Sequence, residues 1–392
     1  MPNRKIIVPK PVKVESRLPF ECVALLLQGG GALGAYQGGV YQALMESGIE
    51  PDWVAGISIG AVNSAIIAGN PSSQSVQRLR DFWEYITPHS PLDMMSDFGI
   101  KFFDGDISRG TMNQWNAASV IMQGVPGFFV PRFPAPWLHE NGSEGATSYY
   151  DTSEFKNTLE KFIDFDRINT DQKRLSMGAV NVRSGNFVYF DTTTHVITPE
   201  HIMASGALPP GFHGVEIEGE LYWDGGLVSN TPLQWVLQSK ERMDTLAFQV
   251  DLWSARGDVP RNMSEVTTRQ KEIMYSSRTR AATDQFKKAQ KMRHSISELL
   301  DKLPMELQNT KETKAIAEYA THKVYNIVHL IYRSKAYEND SKDYLFSRRS
   351  MDEQWKSGYA DTVRTLRHPE VLTRPNNKEG VFTFDVRNEG RE

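Results

Sequence analysis

The stretch from residue 25 to residue 70, LLLQGGGALGAYQGGVYQALMESGIEPDWVAGISIGAVNSAIIAGN, decides the fold of this chain. It holds two glycine-rich turns, at 29–34 and at 56–60. Each turn follows an apolar run that is typical of a buried strand and precedes a segment with apolar residues at helical spacing. Two strand–turn–helix units in succession predict an α/β domain with a parallel sheet and right-handed crossovers.

The second turn carries Ser58 in the pattern Gly-x-Ser-x-Gly, between Gly56 and Gly60. This pattern exposes a hydroxyl on a tight strand-to-helix turn. A serine hydroxyl attacks an ester only when a base takes its proton and when fixed donors face the oxyanion that develops. We therefore expect Ser58 to be the nucleophile of an acyl-transfer site.

The first turn, GGGALG, begins with Gly29, Gly30 and Gly31 and ends at Gly34. Consecutive glycines let backbone N–H groups face a bound group with no side chain in between. The helix predicted over 35–47 directs its dipole and its free N–H groups at the same turn. The three leading glycines are therefore the predicted oxyanion hole, and Gly34 supports the motif.

A third glycine turn contains Asp224, which follows a short apolar run and precedes Gly225 and Gly226. Open sheets carry functional groups at the ends of their strands, so Asp224 is the predicted base. A carboxylate with its ordinary pKa near 3.9 is a weak acceptor for a hydroxyl proton. We therefore expect a dry site, in which burial raises the pKa of Asp224.

Composition and charge exclude several classes of function. The chain has 392 residues and a net charge of −4, so nucleic acid is not a predicted partner. Its single cysteine, Cys22, lies in an apolar run, which excludes an intramolecular disulfide and a cysteine-based metal cluster. We predict neither a metal nor an organic cofactor. The oligomeric state is left open.

The chain is expected to fall into three parts. We predict an extended N-terminal arm over 1–19, a catalytic domain over 20–255 and a C-terminal extension over 256–392. Within the catalytic domain, the irregular and aromatic segment 88–150 is either a cap that shapes the substrate site or a structural wrap over the sheet edge. The last core strand is expected at 245–252.

The extension begins with a long, basic helical stretch over 261–303. Such a helix either lies on an anionic membrane or presents a solvated face while it packs on the domain. A strand is predicted over 324–332, and a helix over 350–366 begins with a capping box of Ser350 and Glu353. We find neither a signal peptide nor an apolar run of bilayer length, so we predict a cytoplasmic protein that could touch the inner membrane surface.

Two other interpretations are open from these residues alone. GGGALG also matches the dinucleotide fingerprint, and Glu50 and Asp52 follow at about the spacing of the ribose-binding acid, which would make the chain a nucleotide-binding module. A Ser…Asp…His triad is also available in the order of the chain. The histidines to consider are His195, His201, His213, His294, His322, His329 and His368.

The three turns together resemble the patatin-like phospholipase family. GGGALG, GISIG and DGG occur in that family's order, and ASGALPPGF from Ala204 and the sequence Asn230-Thr231-Pro232 are similar to it as well. The resemblance covers about 20–251. The runs VHLIYRS and SKDYLFSRRSMDEQW resemble an extension that occurs in a bacterial subgroup of the family.

This resemblance implies a three-layer α/β/α fold with a mostly parallel central sheet, followed by a mainly helical C-terminal extension. It implies a serine lipid acyl hydrolase of the phospholipase A or lysophospholipase type, with a Ser58–Asp224 dyad, an acyl-serine intermediate and an oxyanion hole that includes Gly30 and Gly31. Leu33 stands where many members carry Arg or Lys. An esterase acting on neutral lipids or on an intracellular polyester is therefore the alternative.

Overall fold

The computed structural model describes residues 11–14, 17–87, 106–170, 172–239, 241–334, 338, 341–377 and 379–385. Short apolar runs of the sequence form eleven strands within these ranges. In chain order they are β1 (Cys22–Leu27), β2 (Trp53–Ile57), β3 (Val130–Pro131), β4 (Tyr150–Asp151), β5 (Arg174–Asn181), β6 (Phe187–Asp191), β7 (Val215–Ile217), β8 (Glu220–Asp224), β9 (Thr245–Asp251), β10 (Tyr325–Ile331) and β11 (Val381–Phe384).

Nine of these strands form the central sheet, in the order β11-β10-β9-β1-β2-β5-β8-β7, with β6 also paired to β5. The strands from β11 to β5 are parallel, whereas β6, β7 and β8 add antiparallel pairs at one end. Because β1 lies between β2 and β9, the strand order reverses there. Open sheets bind ligands in the crevice at the carboxyl ends of such strands.

Helices connect and cover the strands. The described residues form the helices α1 (Ala35–Glu46), α2 (Ile59–Ala68), α3 (Ser72–Ile86), α4 (Asp106–Gln123), α5 (Ser153–Phe162), α6 (Phe165–Ile168), α7 (Pro199–Gly206), α8 (Leu233–Leu237), α9 (Met263–Leu300), α10 (Met305–Gln308), α11 (Lys311–Ala317) and α12 (Arg348–Thr365).

The two faces of the sheet are buried by different helices. Alternate residues of β1 point in opposite directions, as a strand requires, so Leu25 and Leu27 enter one core while Ala24 and Leu26 enter the other. The first core includes apolar side chains of α1, α2, α3, α7 and α12, and the second includes those of α8 and Phe286 of α9. The predicted three-layer α/β/α architecture with a mostly parallel sheet is confirmed.

The sheet continues beyond the strand that was predicted to be its last. β10 pairs in parallel with β9, and β11 pairs in parallel with β10, so two strands of the C-terminal region extend the catalytic sheet. The expectation that 245–252 is the last core strand was therefore wrong. Instead, seven residues of the strand predicted over 324–332 pair in parallel with β9 and continue the sheet.

The helices of the C-terminal region pack on the same domain. In α9, buried side chains recur at helical spacing at Ser276, Thr283, Phe286 and Gln290, which gives the helix one face against the protein. Helix α12 lies on α1. A Cβ on Gly38 of α1 would collide with the Trp355 ring, and one on Gly39 would collide with the Trp355 carbonyl oxygen, so these glycines allow the two helices to approach closely. The N-cap of α12 is Ser347, whose side chain accepts the Ser350 N–H, so the capping box predicted at Ser350 was wrong.

Candidate active site

The register of the sheet brings Ser58 and Asp224 together. Ile57, at the end of β2, pairs with Gly178 of β5, and the next residue of β5, Ala179, pairs with Asp224 at the end of β8. Strand β8 runs antiparallel to β5 but pairs only with its last three residues, 179–181. The carboxyl end of β8 therefore lies at the same sheet edge as the carboxyl ends of the parallel strands.

Ser58 lies on a strained turn between β2 and α2. Its backbone has a φ of 55°, in the left-handed region that residues with a side chain rarely adopt. The Ser58 N–H donates to the Ser205 hydroxyl at 3.1 Å, and that hydroxyl donates to the Gly178 carbonyl at 2.7 Å. Ser205 thus joins the strained turn to strand β5. Backbone strain of this kind is typical of functional sites.

The glycine turn 29–34 forms one side of the site. The Gly29 N–H donates to the Asn230 carbonyl at 3.3 Å, so it is already engaged. The Gly29 carbonyl accepts from the Asn230 side-chain amide at 2.9 Å and from the Trp253 indole at 3.0 Å. The N–H groups of Gly30 and Gly31 have no acceptor among the residues that the structure describes. These two are the candidate oxyanion donors, whereas Gly29 anchors the turn.

Gly31 cannot be replaced by a larger residue without disturbing the site. Its φ is 55°, and a Cβ at this position would lie 2.0 Å from the Asp343 carbonyl oxygen. The same carbonyl accepts the Ala32 N–H at 2.7 Å. The C-terminal region therefore contacts the glycine turn directly.

Asp224 is a buried carboxyl group beside the Ser58 hydroxyl and the Gly226 N–H. It is 2% exposed, and burial raises its pKa to about 7. The Ser58 hydroxyl and the Gly226 N–H, which donates at 2.7 Å, limit this rise because both favour the charged form. Such a pKa suits a general base near neutral pH.

A cavity of about 470 Å³ joins these groups. Its walls include Gly29, Gly30, Gly31, Ser58, Asp224 and Gly226. Phe128, Phe129 and Phe346 are among its aromatic side chains. The described lining contains no Lys, Arg or His side chain. The cavity thus offers an apolar space next to the Ser58 hydroxyl, the Asp224 carboxyl group and two backbone N–H groups.

The segment predicted as a cap over 88–150 is described only in part, because residues 88–105 lie outside the described ranges. Its remainder supplies Val120 and Ile121 of α4, together with Phe128, Phe129 and Tyr150, to the cavity wall. Phe133 and Trp137 of the same segment do not line the cavity and are 97% and 75% exposed.

The other motif glycines lie around the cavity and do not line it. A Cβ on Gly60 would lie 2.2 Å from the Leu27 carbonyl oxygen, so this glycine allows the start of α2 to approach the end of β1. Gly34, Gly56 and Gly225 are similarly confined by neighbouring atoms. Leu33 is fully buried in the core and does not line the cavity, so its side chain does not meet a substrate directly.

The residues needed for nucleotide binding lie at the wrong end of the sheet. Glu50 and Asp52 precede β2, whereas the glycine turn follows β1, and β1 and β2 are parallel. Asp52 accepts the Val23 N–H at 2.8 Å, and Glu50 pairs with Lys173 at 3.2 Å. No described histidine lines the cavity either. Neither the dinucleotide interpretation nor the histidine triad therefore has its groups assembled here.

Several residues of the site were missed by the sequence analysis. They are Ser205, Trp253, Tyr275, Asp343, Tyr344 and Phe346. Ser205 and Asn230 lie in the stretches that resemble the family, and that resemblance was the available signal. Asp343, Tyr344 and Phe346 lie in the run SKDYLFSRRSMDEQW, which resembles the extension of a bacterial subgroup but was given no role in the site, and Tyr275 lies in no such run. Among the described residues, no group of three or more potential metal ligands is assembled.

Comparisons with known proteins agree with this arrangement. The Patatin-like phospholipase family matches residues 25–236, and a second family, described as Patatin phospholipase, matches residues 273–378. The chain is 35% identical over 80 residues to the patatin-like phospholipase domain-containing protein M110.7 of Caenorhabditis elegans, and 48% identical over 56 residues to the lysophospholipase nte1 of Aspergillus terreus. These segments cover 20% and 14% of the chain, but only 7% and 4% of the two relatives.

Among solved structures, VipD from Legionella pneumophila aligns with 98% of the chain and 76% of its own, at a TM-score of 0.41 and 15% identity. The match of the first family extends over more than half of the chain and includes the serine, aspartate and glycine turns that meet at the cavity. The chain belongs to the patatin-like phospholipase family.

Proposed function

We propose that this chain is a serine lipid acyl hydrolase that cleaves carboxylic esters of phospholipids or lysophospholipids through an acyl-serine intermediate. The observation that carries this proposal is the meeting, at one apolar cavity, of Ser58, the buried Asp224 carboxyl group and the N–H groups of Gly30 and Gly31, which have no acceptor among the described residues.

Each group has a role in the proposed reaction. The Ser58 oxygen attacks the ester carbonyl carbon while its proton passes to Asp224, and the oxyanion of the tetrahedral intermediate accepts from the Gly30 and Gly31 N–H groups. The intermediate then expels the alcohol, which takes the proton back from Asp224. Water attacks the acyl-serine with Asp224 again as base, which releases the fatty acid and restores Ser58.

The chemistry of the cavity bears on the substrate. Its apolar walls suit an acyl chain, and the cavity holds no cation within its described lining that would pair with a phosphate. A phospholipid would therefore keep its headgroup outside the cavity. The same observation favours a second candidate, an esterase that acts on neutral lipids or on a polyester.

The outer surface of the 106–150 segment supports contact with a lipid surface. Trp115, Met122, Phe133 and Trp137 are each more than 70% exposed there. Ile121 of the same segment is half exposed and also lines the cavity, so the segment's exposed surface reaches the substrate site at Ile121. Tryptophan and phenylalanine favour membrane interfaces. No described helix meets the length and hydropathy required to span a bilayer.

A vesicle assay tests this contact. Phe133→Asp and Trp137→Asp should each weaken cosedimentation with phosphatidylcholine vesicles, because a charge at the interface opposes insertion. Met305→Asp is the matched control, since Met305 is 83% exposed on α10, outside this segment. Equal binding by all three variants and the unchanged protein would contradict the proposed contact.

Labelling with a fluorophosphonate probe tests the reaction itself. We expect the unchanged protein to be labelled at Ser58, and Ser58→Ala and Asp224→Asn to lose labelling. Ser64→Ala is the matched control, because Ser64 is a buried serine of α2 whose hydroxyl has no partner among the described residues. Absence of labelling in folded, unchanged protein would overturn the proposal. Hydrolysis of phosphatidylcholine, lysophosphatidylcholine, diacylglycerol and polyester then separates the two substrate candidates.

A further inference from the structure

The C-terminal turn, which we define as residues 341–346, is part of the cavity wall. Asp343, Tyr344 and Phe346 line the same space as Ser58. The Asp343 carbonyl accepts the Ala32 N–H at 2.7 Å, one residue beyond the candidate oxyanion donor Gly31. This backbone contact restrains the glycine turn near Gly31.

Two ion pairs attach the C-terminal turn to helix α9. Lys271 donates to both carboxylate oxygens of Asp343 at 2.9 Å. Lys342, only 3% exposed, donates to Glu272 at 2.8 Å and to Ser334 at 2.6 Å. Adjacent residues of the turn are thus paired with adjacent residues of one helix. This double attachment fixes where the Asp343 carbonyl points.

A second chain of contacts reaches the other end of the glycine turn. The Lys342 ammonium lies 5.0 Å from the centre of the Trp253 ring, and the Trp253 indole donates to the Gly29 carbonyl at 3.0 Å. The C-terminal turn therefore acts on both ends of the glycine turn, at Gly29 through Trp253 and at Ala32 directly. Gly30 and Gly31, whose N–H groups have no acceptor within the described ranges, lie between these two anchors.

We infer that the C-terminal turn, held by Lys271 and Glu272, is a positioning element that keeps the Gly30 and Gly31 N–H groups directed at the oxyanion. The inference rests on the proposed function and assigns a role to the part of the chain after the catalytic sequence motifs. The Lys271–Asp343 pair positions the donors through the Asp343 carbonyl and does not itself meet the substrate. Preorganised donors act mainly on the transition state, so the pair should affect kcat more than KM.

Lys271→Met is the decisive variant, because this lysine is partly exposed and its loss leaves no fully buried charge behind. We expect kcat for a soluble ester to fall about 10-fold, less than the about 100-fold cost of deleting a whole oxyanion donor. KM should change by less than about twofold for both butanoyl and decanoyl esters, since substrate binding is not touched. Lys271→Arg keeps the charge and should retain most of the activity.

Lys291→Met is the matched control. It removes another α9 lysine, which is mostly exposed and paired with Glu379, away from the C-terminal turn. Rates are normalised to the concentration of serine that the fluorophosphonate labels, so partial unfolding is not counted as slower chemistry. If Lys271→Met does not fold, Asp343→Asn replaces it, because the amide preserves the shape of the carboxylate.

The outcomes are distinct. Unlabelled wild-type protein would overturn the proposed function itself. Labelled wild-type protein with an unchanged kcat in Lys271→Met and Asp343→Asn would overturn only the positioning role. A rise in KM confined to the decanoyl ester would also overturn it, because it would make the turn a wall of the acyl site alone.

Discussion

Ionisation of Asp224 is predicted to set the pH dependence of acylation. Burial raises its pKa to about 7, from a usual value of 3.8. In the proposed reaction the carboxylate is the form that accepts the Ser58 proton, and it makes up about 1% of the group at pH 5 and about 90% at pH 8 for a pKa of about 7. The acylation rate should therefore rise about 90-fold between these pH values.

The assay is a single-turnover measurement with a soluble p-nitrophenyl ester, in which the first release of nitrophenol reports acylation alone. The logarithm of the rate should increase by about one for each pH unit below 7 and then level off. A carboxyl group with its usual pKa would already be more than about 90% ionised at pH 5. A rate that is flat from pH 5 to pH 8 would therefore refute the assignment of the buried Asp224 as base.

The raised pKa of Asp224 also makes the stability of the fold depend on pH. Because the folded-state pKa lies above the unfolded value, the proton stabilises the fold below about pH 3.8, and this contribution is lost as the pH rises to about 7. Asp224→Asn removes the charge, so it should raise the free energy of unfolding at pH 8. The change in the free energy of unfolding on Asp224→Asn should be more favourable at pH 8 than at pH 5 by about 3 kcal/mol. Urea unfolding at both pH values measures it, and an equal effect at each would contradict the raised pKa.

Three further variants test the surroundings of the site. Gly31→Ala places a Cβ 2.0 Å from the Asp343 carbonyl oxygen at a positive φ, so we expect labelling of Ser58 to slow more than about 100-fold; a normal rate would show that the turn has space there. Ser205→Ala leaves the Ser58 N–H and the Gly178 carbonyl without their partner, and should cost about 1–3 kcal/mol in urea unfolding; no loss would mean that water replaces the hydroxyl. Phe346→Ala removes apolar cavity wall, and should raise KM for a decanoyl ester about 10-fold with little change for a butanoyl ester; an equal change for both would argue against an acyl site at Phe346.

The parts of the fold that depend on local pattern were predictable. The runs before Gly29 and Ser58 are short, apolar and adjacent to the glycine motifs, so strands β1 and β2 and the helices after them could be placed from the sequence. The three-layer class follows from their alternation. The end of the sheet could not be derived in this way, because the pairing of β10 with β9 joins residues separated by the long helix α9.

The candidate site was likewise predictable from the sequence only in part. Ser58, Asp224 and the glycine turn carry motifs, and their residue types already indicate the chemistry. The engaged N–H of Gly29 could not be anticipated, since its acceptor is the Asn230 carbonyl, far along the chain. Tyr275 and Asp343 reach the cavity only through tertiary packing. The direction of β8 was also hidden, and only its register with β5 explains why Asp224 meets Ser58.

The hydrogen bond between Ala32 and Asp343 also bears on when activity first arises during synthesis. Translation proceeds from the N-terminus, so the strained serine turn and the glycine turn are made long before the segment that carries Asp343. Domains generally fold as units during or after synthesis. A nascent chain without the segment that carries Asp343 would lack this restraint on the glycine turn, so full esterase activity would begin only after that segment has been made and packed.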